Sequence, residues 1–115
     1  MGKEKNELAV EIGRRIATRR NQLGLTQAQA AELAGLTQQF FASVETGLKN
    51  IRAESIIKVS KALNISTDYL LTGMVTNFER HELMGLLETL DENRFFEMEN
   101  IIRDVLKFGG YDTNL

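Results

Sequence analysis

Four residues punctuate the chain between Leu25 and Leu48 and leave little freedom for what lies between them. Thr26 stands where a helix N-cap is needed, and Gln29 three residues on completes a Thr-x-x-Gln capping box. Gly35 stops that helix. Thr37 is placed to cap a second one, which runs to about Thr46, and Gly47 stands beyond it as a C-terminal stop. The pattern predicts two short helices joined by a turn of three or four residues. Such a corner closes only if a small residue sits where the helices cross and the turn tolerates a positive φ. Ala31 and Gly35 supply these. Leu33, Leu36, Phe41 and Val44 are the apolar residues available to lock the pair onto the rest of the fold.

The helical period continues on both sides, and no alternating β-branched run reads as a strand, so the chain is expected to be all-α. A first helix runs from about Glu7 to Leu23, with Leu8, Ile12, Ile16 and Leu23 on one face and Gly24 as its stop. After a loop over 48–52, a helix from about Ala53 to Leu63 carries Ile56, Ile57, Val59, Ala62 and Leu63 as its apolar members. Ser66 caps a last short helix to Leu71, ended by Thr72-Gly73. Met74 to Asn77 is a short joint, not Gly/Ser-rich. Two longer amphipathic helices follow, one from about Phe78 to Leu90 and one, capped by Asp91, from about Glu92 to Phe108. Gly109-Gly110 is the expected terminator, with frayed residues after it. The expected organisation is a five-helix domain over residues 7–73 and a two-helix element over 76–108.

Within the central pair, the residues left facing outward on the second helix are Gln38, Gln39, Phe40, Ala42 and Ser43. They are neutral and either polar or small, apart from Phe40, which a one-residue slip of register would send into the core. Glutamine makes a bidentate hydrogen bond to the adenine edge in the major groove, and an apolar side chain can touch a thymine methyl.

These features resemble the lambda-repressor-like (Cro/C1, xenobiotic-response-element type) helix-turn-helix proteins. The marks are Arg20-x-Gln22-Leu23-Gly24-Leu25-Thr26-Gln27-Ala28, Gly35-x-Thr37-Gln38-Gln39, Glu45-x-Gly47 and Ala62-Leu63-Asn64-Ile65-Ser66-x-Asp68-Tyr69-Leu70-Leu71-x-Gly73, spread over roughly Ile12 to Gly73. The resemblance implies a sequence-specific transcriptional regulator, a repressor on double-stranded DNA. It implies that Thr37, Gln38, Gln39, Phe40 and Ser43 read bases. It implies phosphate contacts from Gln27, Thr46, Lys49, Asn50 and Arg52, with Gln27 also buttressing Gln38; Thr26 is expected to join them, and so is Arg19, from a cluster of Arg14, Arg15, Arg19 and Arg20 whose other reading is a solvated face. Arg20 and Glu45 match a structural salt bridge between the first and third helices. Phe40 and Ser43 depart from the family pattern, where small polar and longer polar residues respectively are usual.

The two C-terminal helices carry more apolar surface than a small domain has room to cover. Leu86, Leu87, Leu90, Phe95, Met98, Ile102 and Val105 are therefore the expected homodimer interface, the alternative being that the helices fold back on residues 1–73. A two-fold dimer places two reading helices about 34 Å apart on a pseudo-palindromic operator. A reading of another class is an antitoxin whose C-terminal helices mask a protein partner.

Charge supports the division. Residues 1–75 carry ten Lys and Arg against seven Asp and Glu, a surplus of three; residues 76–115 carry four against nine, a deficit of five, and the two give the net −2. A polyanion partner therefore suits the first part and not the second. One histidine, His81, and no cysteine give no metal-ligating or histidine-based catalytic set, and the carboxylates at Glu79, Glu82, Glu97 and Glu99 are scattered. No enzyme activity, cofactor or metal is expected. No apolar run is long enough for a membrane span, and Met1 to Lys5 is charged with no apolar stretch behind it, so a cytoplasmic address is expected.

Overall fold

The computed structural model describes residues 6–108. Among them are seven α-helices: α1 (Glu7–Gln22), α2 (Gln27–Ala34), α3 (Gln38–Glu45), α4 (Ala53–Leu63), α5 (Thr67–Thr72), α6 (Asn77–Glu88) and α7 (Glu92–Phe108). Contacts divide the chain into two units, Met1–Val75 and Thr76–Leu115. The readings made for Met1 to Lys5 and for Gly109 to Leu115 lie outside the described residues.

In the first unit, boundaries follow cap chemistry. Asn6 Oδ1 accepts from Leu8 N and opens α1. Thr26 and Gln29 form the reciprocal capping box of α2, at 3.1 Å and 2.9 Å. Ser66 accepts from Tyr69 N at the head of α5. Gly35 and Gly73 end α2 and α5 in the left-handed region, and Asn64 (φ 50°) does the same for α4.

The core gathers Ile12 and Ile16 of α1, Ala30, Ala31 and Ala34 of α2, Phe41 and Val44 of α3, Ile56, Val59 and Leu63 of α4, and Leu70 of α5. Four residues expected on this face are not in it. Leu8, Leu23, Leu33 and Ile57 are exposed. Each has a local reason. The buried face of α1 is Ala9, Ile12, Gly13 and Ile16, a quarter-turn away from Leu8. Leu23 is the C-cap, past the last full turn. On α2 the three alanines take the inner face and turn Leu33 outward; on α4, Ile56, Val59 and Leu63 do the same to Ile57.

Gly13 fixes how closely α1 and α3 approach. A Cβ at this position would collide with the carbonyl oxygens of Val44 and Glu45, the latter 2.6 Å away. The backbones therefore meet with no side chain between them.

In the second unit, α6 begins with its own capping box. Thr76 Oγ1 accepts from Glu79 N at 3.1 Å, and the Glu79 carboxylate accepts from Thr76 N at 3.3 Å. The helix therefore starts one residue earlier than the sequence pattern predicts, and it ends at Glu88, with Thr89 as C-cap. Asp91 Oδ1 accepts from Arg94 N at 2.8 Å and opens α7. The two helices touch only sparsely. Between them lies a mostly apolar cleft of about 430 Å³ lined by Met84, Leu87, Leu90, Phe95 and Phe96 together with Glu88 and Glu92. Neither helix has a buried residue.

Candidate nucleic-acid interface

α3 is held from three sides, and what it leaves outward follows from how it is held. Thr37 Oγ1 accepts from Phe40 N at 3.1 Å, which fixes the first turn. Phe41 and Val44 are buried in the core. At the far end Glu45 receives a fork from Arg20: Nε to Oε2 at 2.6 Å and Nη2 to Oε1 at 3.1 Å. Arg20 also donates to Leu25 O at 2.8 Å, tying the pair to the loop before α2. The two side chains are 14% and 5% exposed, so this ion pair is shielded from water, and it is bidentate. The hydrogen bond to Glu45 raises the Arg20 pKa against the opposing effect of burial. The guanidinium stays charged throughout the range in which proteins fold.

The face turned away from the core and the ion pair is Thr37, Gln38 and Gln39, all exposed, continued by half-buried Phe40, Ala42 and Ser43. The strip carries no formal charge. Ser43 Oγ donates to Gln39 O at 3.0 Å, so its hydroxyl lies back against the helix. Phe40 packs partly against the core, and the Lys49 Nζ stands 5.8 Å from its ring centroid. The sequence alternatives for Phe40, outward or inward, are both partly realised.

After α3 the chain reverses at Gly47 (φ 78°), where a Cβ would also press on Val10. Gly47 N donates to Val44 O and Leu48 N to Ser43 O, the pairing of a Schellman turn. Thr46, Lys49, Asn50 and Arg52 are exposed beyond it. Thr46 Oγ1 donates to Ser43 O, and Arg52 is the N-cap of α4 through its backbone alone.

Two of the phosphate candidates have other attachments. Arg19 donates from Nε to Leu63 O at 2.9 Å and from Nη2 to Asn64 O at 3.2 Å. It thus caps the C-terminal carbonyls of α4, where a cation is also favoured by the helix dipole. Gln27 Nε2 donates to Glu45 Oε1 at 2.9 Å, so its amide is turned toward the Arg20–Glu45 pair and not toward Gln38. Thr26 is exposed, with its hydroxyl engaged in the capping box.

Gly13 is the site-forming residue that sequence reasoning missed. A glycine in a helix interior costs roughly 0.5–1 kcal/mol relative to alanine, so its presence mid-helix was the available signal of close approach. Among the described residues no group of three or more His, Cys, Asp or Glu could hold a metal ion, and no helix is long and apolar enough to cross a membrane.

In the second unit the expected interface residues Leu86 (65%), Phe95 (42%), Ile102 (43%) and Val105 (64%) are exposed. Leu87, Leu90 and Met98 are half-buried.

An all-helical domain that pins one short helix by its inner face and presents a neutral, hydrogen-bonding outer face is a helix-turn-helix domain. Residues 16–70 match the family described as Helix-turn-helix. The SPbeta prophage-derived uncharacterized HTH-type transcriptional regulator YonR of Bacillus subtilis (strain 168) is 32% identical over 79 residues, 69% of this chain and 73% of that protein. The HTH-type transcriptional regulator SinR of Bacillus licheniformis is 30% identical over 99 residues, 85% of this chain and 79% of that protein. Among solved structures, the P22 c2 repressor protein in complex with synthetic operator 9T superposes with a TM-score of 0.53 at 33% identity, covering 55% of this chain and 96% of that one. The chain belongs to the Cro/C1-type helix-turn-helix family of transcriptional regulators.

Proposed function

We propose that this protein is a transcriptional repressor that occupies a pseudo-palindromic operator as a homodimer, in the cytoplasm, and performs no chemistry. The observation that carries the reading is the outward strip of α3. Its inner face is fixed by Phe41, Val44 and the Arg20–Glu45 pair, while Gln38 and Gln39 stand free of the core and exposed. A preorganised helix with neutral donors and acceptors matches base edges, which are not charged; a phosphate-binding helix would carry cations. Thr37, Gln38, Gln39, Phe40 and Ser43 then face bases. Thr26, Gln27, Thr46, Asn50 and Arg52 lie at the rim, where backbone groups, hydroxyls and cations meet phosphates. Arg19, committed to Leu63 and Asn64, takes no part.

Dimerisation falls to α6 and α7. The 99-residue likeness to SinR is longer than the first unit, so it takes in part of this region as well. Two helices with no fully buried residue leave Leu86, Phe95, Ile102 and Val105 exposed and Leu87, Leu90 and Met98 half-covered for a second copy. The toxin-neutralising alternative gains no support from relatives named as regulators and repressors.

Selection of bound sequences from random duplex DNA tests this reading. It should return two inverted half-sites with centres about 34 Å apart, one helical turn. Binding should weaken steeply with salt as counterions are released. Recovery of single, unpaired sites would overturn the dimer, and recovery of no preferred sequence would overturn the reading of α3.

A further inference from the structure

α3, from Gln38 to Glu45, contains no cation, yet one lies on it. The reversal at Gly47 carries the chain back toward α3, and Lys49 N donates to Ser43 O at 3.4 Å beside the stronger bond from Leu48 N at 3.0 Å. The lysine stem therefore starts at the C-terminal turn of α3. Its ammonium ends 5.8 Å from the centroid of Phe40, one turn closer to the N-terminus. That is inside the roughly 6 Å within which a cation is attracted to a ring face. The ring itself is half-buried and packed against the core, so it is a fixed seat.

Position decides what such a cation meets. The major groove is about 12 Å wide, and an α-helix with its side chains is about 10–12 Å across, so a reading helix fills it. A group on the outward side of the helix, which half-buried Phe40 continues, is then among base edges, whereas phosphates line the rim. Lysine is a donor only, and the acceptors offered on the groove floor by guanine are O6 and N7.

We propose that Lys49, seated on the Phe40 ring, reads a guanine in each half-site, with Phe40 as the positioning residue. This rests on the operator-binding reading above. Gln38 and Gln39 supply donors and acceptors suited to adenine; Lys49 adds the guanine contact that the neutral helix lacks.

The test uses the full chain, the operator obtained by selection and a panel of its single-base variants. Lys49→Ala should lower the preference for one guanine position per half-site by roughly 5- to 150-fold and leave the other positions unchanged. Lys49→Arg, which also forks onto O6 and N7, should retain it. Phe40→Leu keeps apolar bulk but removes the ring, and it should lose the same guanine preference with Lys49 still present. Phe40→Tyr, which keeps the ring, should not. The assignment is overturned if Lys49→Ala weakens all duplexes alike and reduces the salt slope by about one, the signature of a phosphate contact. It is overturned alone if the selected half-site has no fixed guanine. If no duplex is selected at all, the operator reading and this assignment fail together.

Discussion

The two units are built from helices of the same kind and reach opposite outcomes. In the first, five helices of 6 to 16 residues enclose a buried cluster from Ile12 to Leu70. In the second, helices of 12 and 17 residues have no fully buried residue. Length and apolar content therefore do not explain the difference. A helix buries its stripe only against another layer, and two helices that touch sparsely cover theirs only in part. Small residues make the first unit close: Gly13 and the alanines of α2 let backbones approach, so that Phe41 and Leu63 are sealed from water. The second unit leaves most of its large apolar side chains exposed, Phe78, Leu83, Leu86 and Val105 among them.

The largest effect expected from breaking this comparison comes from removing one side of it. Deletion of residues 76–115 should leave a folded monomer that melts cooperatively, because the buried cluster lies wholly in the first unit. Its operator affinity should fall by about 10²–10⁴, since the second reading helix is no longer held at high effective concentration. Sedimentation and operator titration measure the two quantities. A truncated protein that stays dimeric would place the interface in the first unit.

Next in size is Gly13→Ala. Helix propensity alone favours alanine by about 1 kcal/mol. Against this, the new Cβ meets backbone oxygens of Val44 and Glu45, which cannot move without displacing α3. We expect the collision to win by about 3 kcal/mol, a melting temperature lower by on the order of 10–20 °C. Operator binding should suffer as well, because α3 is the element pushed aside. An unchanged or raised melting temperature in a thermal scan would show that α1 and α3 have room to separate.

That residue also marks the boundary of what the sequence conveys. Caps are local, so Thr26, Gln29, Thr37, Ser66 and Asp91 could be read as helix starts from residue type and spacing, and the structure bears their bonds. The face of a short helix is less local. Where apolar residues neighbour each other, as at Ile56 and Ile57, period alone does not choose between them; the partner helix does. Long-range polar contacts are beyond pattern altogether. Arg19 and Arg20 are adjacent, but one meets carbonyls 44 and 45 residues away and the other a carboxylate 25 residues away. The family resemblance separated Arg20 from the DNA face. Nothing local could do the same for Arg19 or turn the Gln27 amide onto Glu45.

A smaller effect, confined to the surface of the first unit, is expected from Gln38→Ala and Gln39→Ala. Each should reduce preference for the selected bases by about 1–3 kcal/mol. Helicity and melting temperature should barely change, since both side chains are exposed and alanine is a better helix former. Competition between matched and single-base-altered duplexes reads the loss. Preference left intact would move base reading away from this strip.

The smallest effect gives the sharpest comparison, because both units use the same device. Thr26 with Gln29 opens α2, and Thr76 with Glu79 opens α6, each with reciprocal bonds. Replacing either threonine with alanine should cost about 1 kcal/mol. The consequences should differ by where the helix finds its packing. In α2, Ala30, Ala31 and Ala34 are buried in the domain, so Thr26→Ala should lower the melting temperature of the first unit and leave assembly alone. In α6 no residue is buried, so the loss from Thr76→Ala has no domain core to weaken. It should appear instead in the dimer dissociation constant, raised about 30-fold because each of the two protomers loses its cap, with the domain melt unmoved. Sedimentation across a dilution series separates the cases. A Thr76→Ala protein with an unchanged dissociation constant and a lowered domain melt would mean that α6 takes its stability from the first unit and not from a second copy.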